Sequence, residues 1–66
     1  MPVIKMEVSK LTKEQKQTLV KEFTESASRI TGIKEEAFVV LIKENEFDNI
    51  GVGGKLMSDM NQDKNK

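Results

Sequence analysis

Phe38-Val39-Val40-Leu41-Ile42 is an unbroken apolar run in a chain of only 66 residues, and it limits the folds open to the sequence. A strand with one wet face alternates apolar and polar side chains. A run without alternation is a strand covered on both faces, as in parallel sheets. One cover is present in the chain: Leu19, Val20, Phe23, Ala27 and Ile30 recur by threes and fours, the apolar stripe of an amphipathic helix. No other segment has the length and periodicity of a second helix. Another copy of the chain therefore has to cover the remaining face. A domain of this size buries only about 60% of its unfolded surface. Such domains make up the shortfall with disulfides, metals or association. With no Cys and no His in the sequence, association is the remedy left.

The other segments fall into place around that strand. Val3 to Val8 alternates, with Ile4, Met6 and Val8 on one face and Lys5 and Glu7 on the other, which predicts a half-buried strand. Ser9-Lys10-Leu11 is a short connector. Thr12 stands three residues before Gln15, the capping-box spacing that starts a helix. Gly32 is its expected stop, and Glu25 and Arg29 are spaced to pair along its polar side. Strand, helix and strand in this order predict a right-handed crossover joining two parallel strands. The expected fold is thus α/β, with a sheet completed by other subunits of a homo-oligomer.

Beyond Lys43 and Glu44 comes a polar loop, Asn45 to Asn49, and then Ile50-Gly51-Val52-Gly53-Gly54. A dinucleotide fingerprint would need a glycine at Leu56, and a P-loop a different spacing with Ser or Thr after its lysine. No long helix follows to present its N-terminus to a phosphate. The glycines instead predict a hairpin or bulge, with a short strand or turn over 55–60. One domain is expected over 1–60, and a fraying polar tail over 61–66.

Composition removes several functions. The 11 basic and 11 acidic residues balance, and the only aromatics are Phe23, Phe38 and Phe47, so neither a basic stripe nor stacking platforms for nucleic acid are present. Without Cys or His there is no thiol nucleophile and the commonest metal ligand and general base are missing. No apolar run is long enough for a membrane span. The chain reads as a soluble, cytoplasmic protein with no membrane partner.

The one unusual base is Pro2. Trimming of Met1 would make Pro2 the N-terminus and its nitrogen a secondary amine. Burial of an amine disfavours its charged form, and a neutral amine can accept a proton as a general base. Pro at this position also serves simply to start a strand, where its missing N–H is harmless. The residues alone leave both readings open.

Taken in order, four features resemble the 4-oxalocrotonate tautomerase family. They are Met1-Pro2 opening a strand, the helix start Thr12-Lys13-Glu14-Gln15-Lys16, the strand Val40-Leu41-Ile42-Lys43-Glu44, and Ile50-Gly51-Val52-Gly53-Gly54-Lys55-Leu56. The likeness runs through about Asp59. It implies a β-α-β subunit with a short C-terminal hairpin, its two-stranded parallel sheet extended across a homohexamer built from dimers. It also implies a tautomerase that interconverts enol and keto forms, or isomers of an unsaturated 2-oxo acid, with no cofactor and no metal. In that chemistry the amino-terminal proline, here Pro2, moves the proton.

The departures from the family pattern bear on substrate binding. Well-studied members hold substrate carboxylates with one arginine in the connector after the first strand and another in the second strand. The connector here is a residue shorter and offers Lys10 and Leu11, and the second-strand position is Val39. Ile50 takes the place of an aromatic wall, while Phe38 reads as core. Arg29, the sole arginine, falls on the polar side of the helix. A guanidinium grips a carboxylate with two parallel hydrogen bonds, whereas an ammonium is a point charge. The expected substrate-binding residues are therefore Lys10, Val39 and Ile50; Lys10 could supply the charge, the other reading being a solvated loop lysine. Lys43 shares a strand face with Val39 but reads as the strand's emergence into water. The alternative is a vestigial oligomer that keeps the fold as a binding or structural module. Hydration or dehalogenation of unsaturated acids, known in some relatives, fits poorly without the arginines.

Overall fold

The computed structural model describes residues 1–60; the tail expected over 61–66 lies outside the described residues. Strand β1 (Val3–Val8) and strand β2 (Val39–Glu44) form a parallel pair, in register from Val3 opposite Val39 to Val8 opposite Glu44. Helix α1 (Lys13–Thr31) makes the crossover between them and packs on β2.

Both ends of α1 are set by local chemistry. Thr12 is extended, and its hydroxyl oxygen accepts the Gln15 N–H at 3.1 Å while the Gln15 side-chain oxygen accepts the Thr12 N–H at 2.9 Å. This is the reciprocal capping box expected from the spacing. At the other end Gly32 takes φ 80° and donates its N–H to the Ser28 carbonyl at 2.8 Å. A left-handed C-terminal residue of this kind favours glycine. Glu25 pairs back to Lys21 at 3.8 Å instead of forward to Arg29. Exposed pairs four residues apart differ by only a few tenths of a kcal/mol, so this choice costs the helix little.

The strand begins one residue later than the apolar run suggested. Glu35–Ala37 forms a single 3-10 turn, and the Phe38 N–H closes it by donating to the Glu35 carbonyl at 3.1 Å. Phe38 therefore spends its donor in the turn, and the ladder starts at Val39. Ile4, Met6, Val8, Val40 and Ile42 lie on the helix side of the sheet and are half-buried. On the opposite face Val3 is 55% and Leu41 49% exposed. Among the described residues none is fully buried.

The polar loop after β2 contains a second 3-10 turn, Phe47–Asn49, closed by Ile50 N–H to Phe47 C=O at 3.3 Å. The glycine cluster is a hairpin: β3 (Gly51–Val52) pairs antiparallel with β4 (Lys55–Leu56). Gly53 (φ 62°) and Gly54 (φ 87°) form its turn. Two consecutive positive φ values define the type I′ turn that matches strand twist. One helical turn, α2 (Met57–Met60), follows where a strand or turn was expected, and its first N–H donates to the Ile50 carbonyl at 2.8 Å. Among the described residues no helix is long and apolar enough to cross a membrane.

Candidate active site

Pro2 lies just before β1 and is held there by its carbonyl, which accepts the Val39 N–H at 3.0 Å. The lack of an N–H on Pro2 costs nothing at this position. Pro2 is half-buried, whereas Met1 is 87% exposed. With Met1 attached, the Pro2 nitrogen is a tertiary amide and has no basic lone pair.

Lys10 and Ile50 lie at the opposite end of the sheet. β1 has six residues, which at about 3.3 Å per residue places roughly 20 Å of strand between Pro2 and the connector. Two open clefts meet there. Val8, Ser9, Lys43, Phe47, Asn49 and Ile50 are among the residues lining one of about 650 Å³. The other, of about 740 Å³, is lined by Ser9, Lys10, Glu44, Glu46 and Phe47. Ser9 and Phe47 border both. One chain thus brings Pro2 together with Val39, and sets Lys10 and Ile50 in neighbouring clefts, but does not join the two pairs. Lys43, read as a mere strand end, lines the cleft that holds Ile50.

The polar corner ending β2 has no counterpart in the expectations from sequence. One Glu44 oxygen, Oε2, accepts the Leu11 N–H at 3.0 Å and pairs with Lys16 Nζ at 2.9 Å. The Leu11 N–H and the Lys16 ammonium hold the Glu44 carboxyl below its ordinary range, with a smaller contribution from Lys10. Next to it, Asn45 donates its backbone N–H to the Val8 carbonyl at 2.7 Å and its side-chain amide to Glu7 Oε1 at 2.9 Å. Leu11 and Glu44 are 33 positions apart, and a charged residue closing a strand reads in isolation as solvated. Only the parallel register brings them together. Among the described residues no group of three or more His, Cys, Asp or Glu side chains is placed to hold a metal ion.

Comparison with known proteins agrees with this architecture. The family model described as tautomerase enzyme matches residues 2–60. DmpI from Archaeoglobus fulgidus superposes with a TM-score of 0.78 at 38% identity, covering 88% of this chain and all (100%) of that one. YwhB, a homologue of 4-oxalocrotonate tautomerase, gives 0.74 at 42% identity, over 89% of this chain and 95% of its own. A further 4-oxalocrotonate tautomerase homologue gives 0.81 at 37% identity, with the same coverages of 89% and 95%. No curated protein matches. The chain belongs to the 4-oxalocrotonate tautomerase family. Membership supports an isomerase-type function on a small molecule.

Proposed function

We propose that the protein is a cytoplasmic, cofactor-independent tautomerase whose working unit is residues 1–60 and whose proton carrier is the Pro2 nitrogen once Met1 is removed. The observation that carries this reading is the clamp on Pro2. Its carbonyl is fixed to β2 through the Val39 N–H at 3.0 Å, so removal of the exposed Met1 leaves an amine attached to a rigid strand. A positioned base is what proton transfer requires. The Pro2 nitrogen takes the proton from the enol hydroxyl as the oxygen becomes a carbonyl and the carbon–carbon double bond shifts. The same nitrogen, now protonated, returns the proton to the alkene carbon at the far end of the enol's conjugated system.

The rest of the site is contributed by association. Pro2 and Val39 sit at one end of the sheet and Lys10 and Ile50 at the other, so two chains running in opposite directions would set Pro2 of one against Lys10 and Ile50 of the partner subunit. Exposed Val3 and Leu41 supply apolar surface for association. The assembly we propose is a homohexamer built from dimers. Val39 and Ile50 form apolar walls, and Lys10 attracts the substrate carboxylate. The substrate class is an enol or unsaturated 2-oxo acid.

The test is a titration of the Pro2 nitrogen by 15N NMR on protein whose Met1 removal is confirmed by mass. An apparent pKa near neutrality is expected. A value ordinary for an exposed amine would contradict the proposed environment.

A further inference from the structure

The segment carrying Lys10 is clamped at both ends by two adjacent residues, Glu44 at the end of β2 and Asn45 just after it. Asn45 N–H holds the Val8 carbonyl at 2.7 Å, and Glu44 Oε2 holds the Leu11 N–H at 3.0 Å. Only Ser9 and Lys10 lie between these two points. On the far side the capping box fixes Thr12, and Lys16, one turn into α1, reaches back to the same Glu44 oxygen at 2.9 Å. A single carboxylate oxygen therefore ties together the sheet, the connector and the first turn of the helix.

We propose that Glu44 is a positioning residue for Lys10. It fixes the connector so that the Lys10 ammonium is held at the cleft it lines with Ser9, Glu44, Glu46 and Phe47, as the one cation there among the described residues able to bind the carboxylate of an anionic substrate. This rests on the tautomerase reading of Lys10 given above. The physical argument is one of preorganisation. An ammonium on a four-carbon stem makes a single point contact and carries large rotamer freedom. A mobile backbone beneath it would add a further ordering cost to every binding event. Charge-assisted hydrogen bonds, about twice as strong as neutral ones, remove that cost in advance. Glu44 also draws Lys16, not Lys10, into direct contact: the ion pair within 4 Å is with Lys16, and Lys10 acts on Glu44 only at longer range. Among the described residues Lys10 has no ion-pair partner within 4 Å, which leaves its ammonium for a ligand.

Adipate, a saturated dicarboxylate with no enol to react, reads this function without turnover. Its Kd is measured by calorimetry on the assembled protein for wild type, Glu44→Ala, Glu44→Gln, Lys10→Met and the double variant Glu44→Ala/Lys10→Met. Glu44→Ala is expected to weaken binding about tenfold. Glu44→Gln, which keeps an acceptor for the Leu11 N–H, recovers at least part of that loss. Adding Glu44→Ala to Lys10→Met should change Kd by less than twofold, because the positioned group is already gone. In turnover assays Glu44→Ala raises KM and leaves kcat within about twofold. Equal effects of Glu44→Ala with and without Lys10, or no adipate binding by wild type, would overturn the proposal. Should Glu44→Ala fail to assemble, the Glu44→Gln/Lys10→Met pair makes the same comparison. The Pro2→Ala variant separates the two claims: its full activity would defeat the tautomerase reading, whereas a failed adipate cycle beside an inactive Pro2→Ala would defeat only the role of Glu44.

Discussion

The Val39 N–H donates to the Pro2 carbonyl at 3.0 Å, so the residue proposed to move the proton is bonded directly to the strand position at which the family resemblance leads one to expect an arginine. Valine in place of the expected arginine leaves the backbone bond untouched, because the bond uses only main-chain atoms. The proline stays anchored while the side chain beside it becomes apolar.

Restoring the cation tests what its loss does. Val39→Arg puts a guanidinium beside Pro2 on the sheet face that also carries Val3 and Leu41. Hydrogen bonds to charged groups contribute about 1.5–3 kcal/mol, which corresponds to roughly a tenfold or larger fall in KM. We expect that fall for a dicarboxylate such as 2-hydroxymuconate and a smaller one for the monoacid phenylenolpyruvate. Steady-state kinetics on both substrates check it, and an unchanged preference would show that Val39 does not face the substrate.

Acid stability reports on Glu44. Its carboxyl is held below the ordinary value of 4.5, first by the Leu11 N–H and then by Lys16. A depressed carboxylate contributes stability that is present above the unfolded-state pKa and is lost as pH falls through the lower folded value. Below about pH 4.5 the wild-type unfolding midpoint should therefore drop more steeply than that of Glu44→Gln. Glu44 and Lys16 are 33% and 37% exposed, so solvent screens the effect and the difference is expected to be small. Thermal melts from pH 3 to 7 check it.

The hairpin turn separates two glycines by shape alone. A Cβ at Gly53 or Gly54 would meet nothing within 4 Å, so any cost there comes from the backbone. Gly54→Val, β-branched at φ 87°, should cost about 1–2 kcal/mol. Gly53→Asn, at φ 62°, should be near neutral because Asn tolerates this region. Melting temperatures check both, and the hairpin's hold on Ile50 predicts that Gly54→Val also raises KM.

Association should depend on the outer sheet face. Leu41 is 49% exposed and stands opposite Lys5 in the register. Leu41→Lys places two like charges side by side on that face, which is destabilising across a strand pair. Sedimentation should show a shift toward smaller species, with loss of activity because the proposed approach of Pro2 to Ile50 of the partner subunit requires the assembly. An unchanged mass would contradict the proposed mode of assembly.

What could be read from sequence follows the range of each interaction. Thr12 with Gln15, Ile4 with Met6 and Val8, and Gly53 with Gly54 are rules acting over a few residues, and each appears in the structure as expected. The 3-10 turns Glu35–Ala37 and Phe47–Asn49 have no apolar period to announce them; one of them moved the start of β2 from Phe38 to Val39. The Glu44–Leu11 bond spans 33 positions and depends on a register that no local pattern encodes. The sequence names Pro2, Lys10, Val39 and Ile50 as candidates but gives no distances between them. That Pro2 and Val39 stand a strand's length from Lys10 and Ile50 follows only from the parallel pairing.

The central claim is that the Pro2 nitrogen carries the proton. It is tested most directly by following enol-to-keto conversion of 2-hydroxymuconate and phenylenolpyruvate in the ultraviolet, using Met1-trimmed wild type beside Pro2→Ala. The account predicts turnover by the wild type and a loss of about 10²-fold or more in the variant, the usual contribution of a positioned general base. Equal rates in the two proteins, at the level of the buffer, would contradict it.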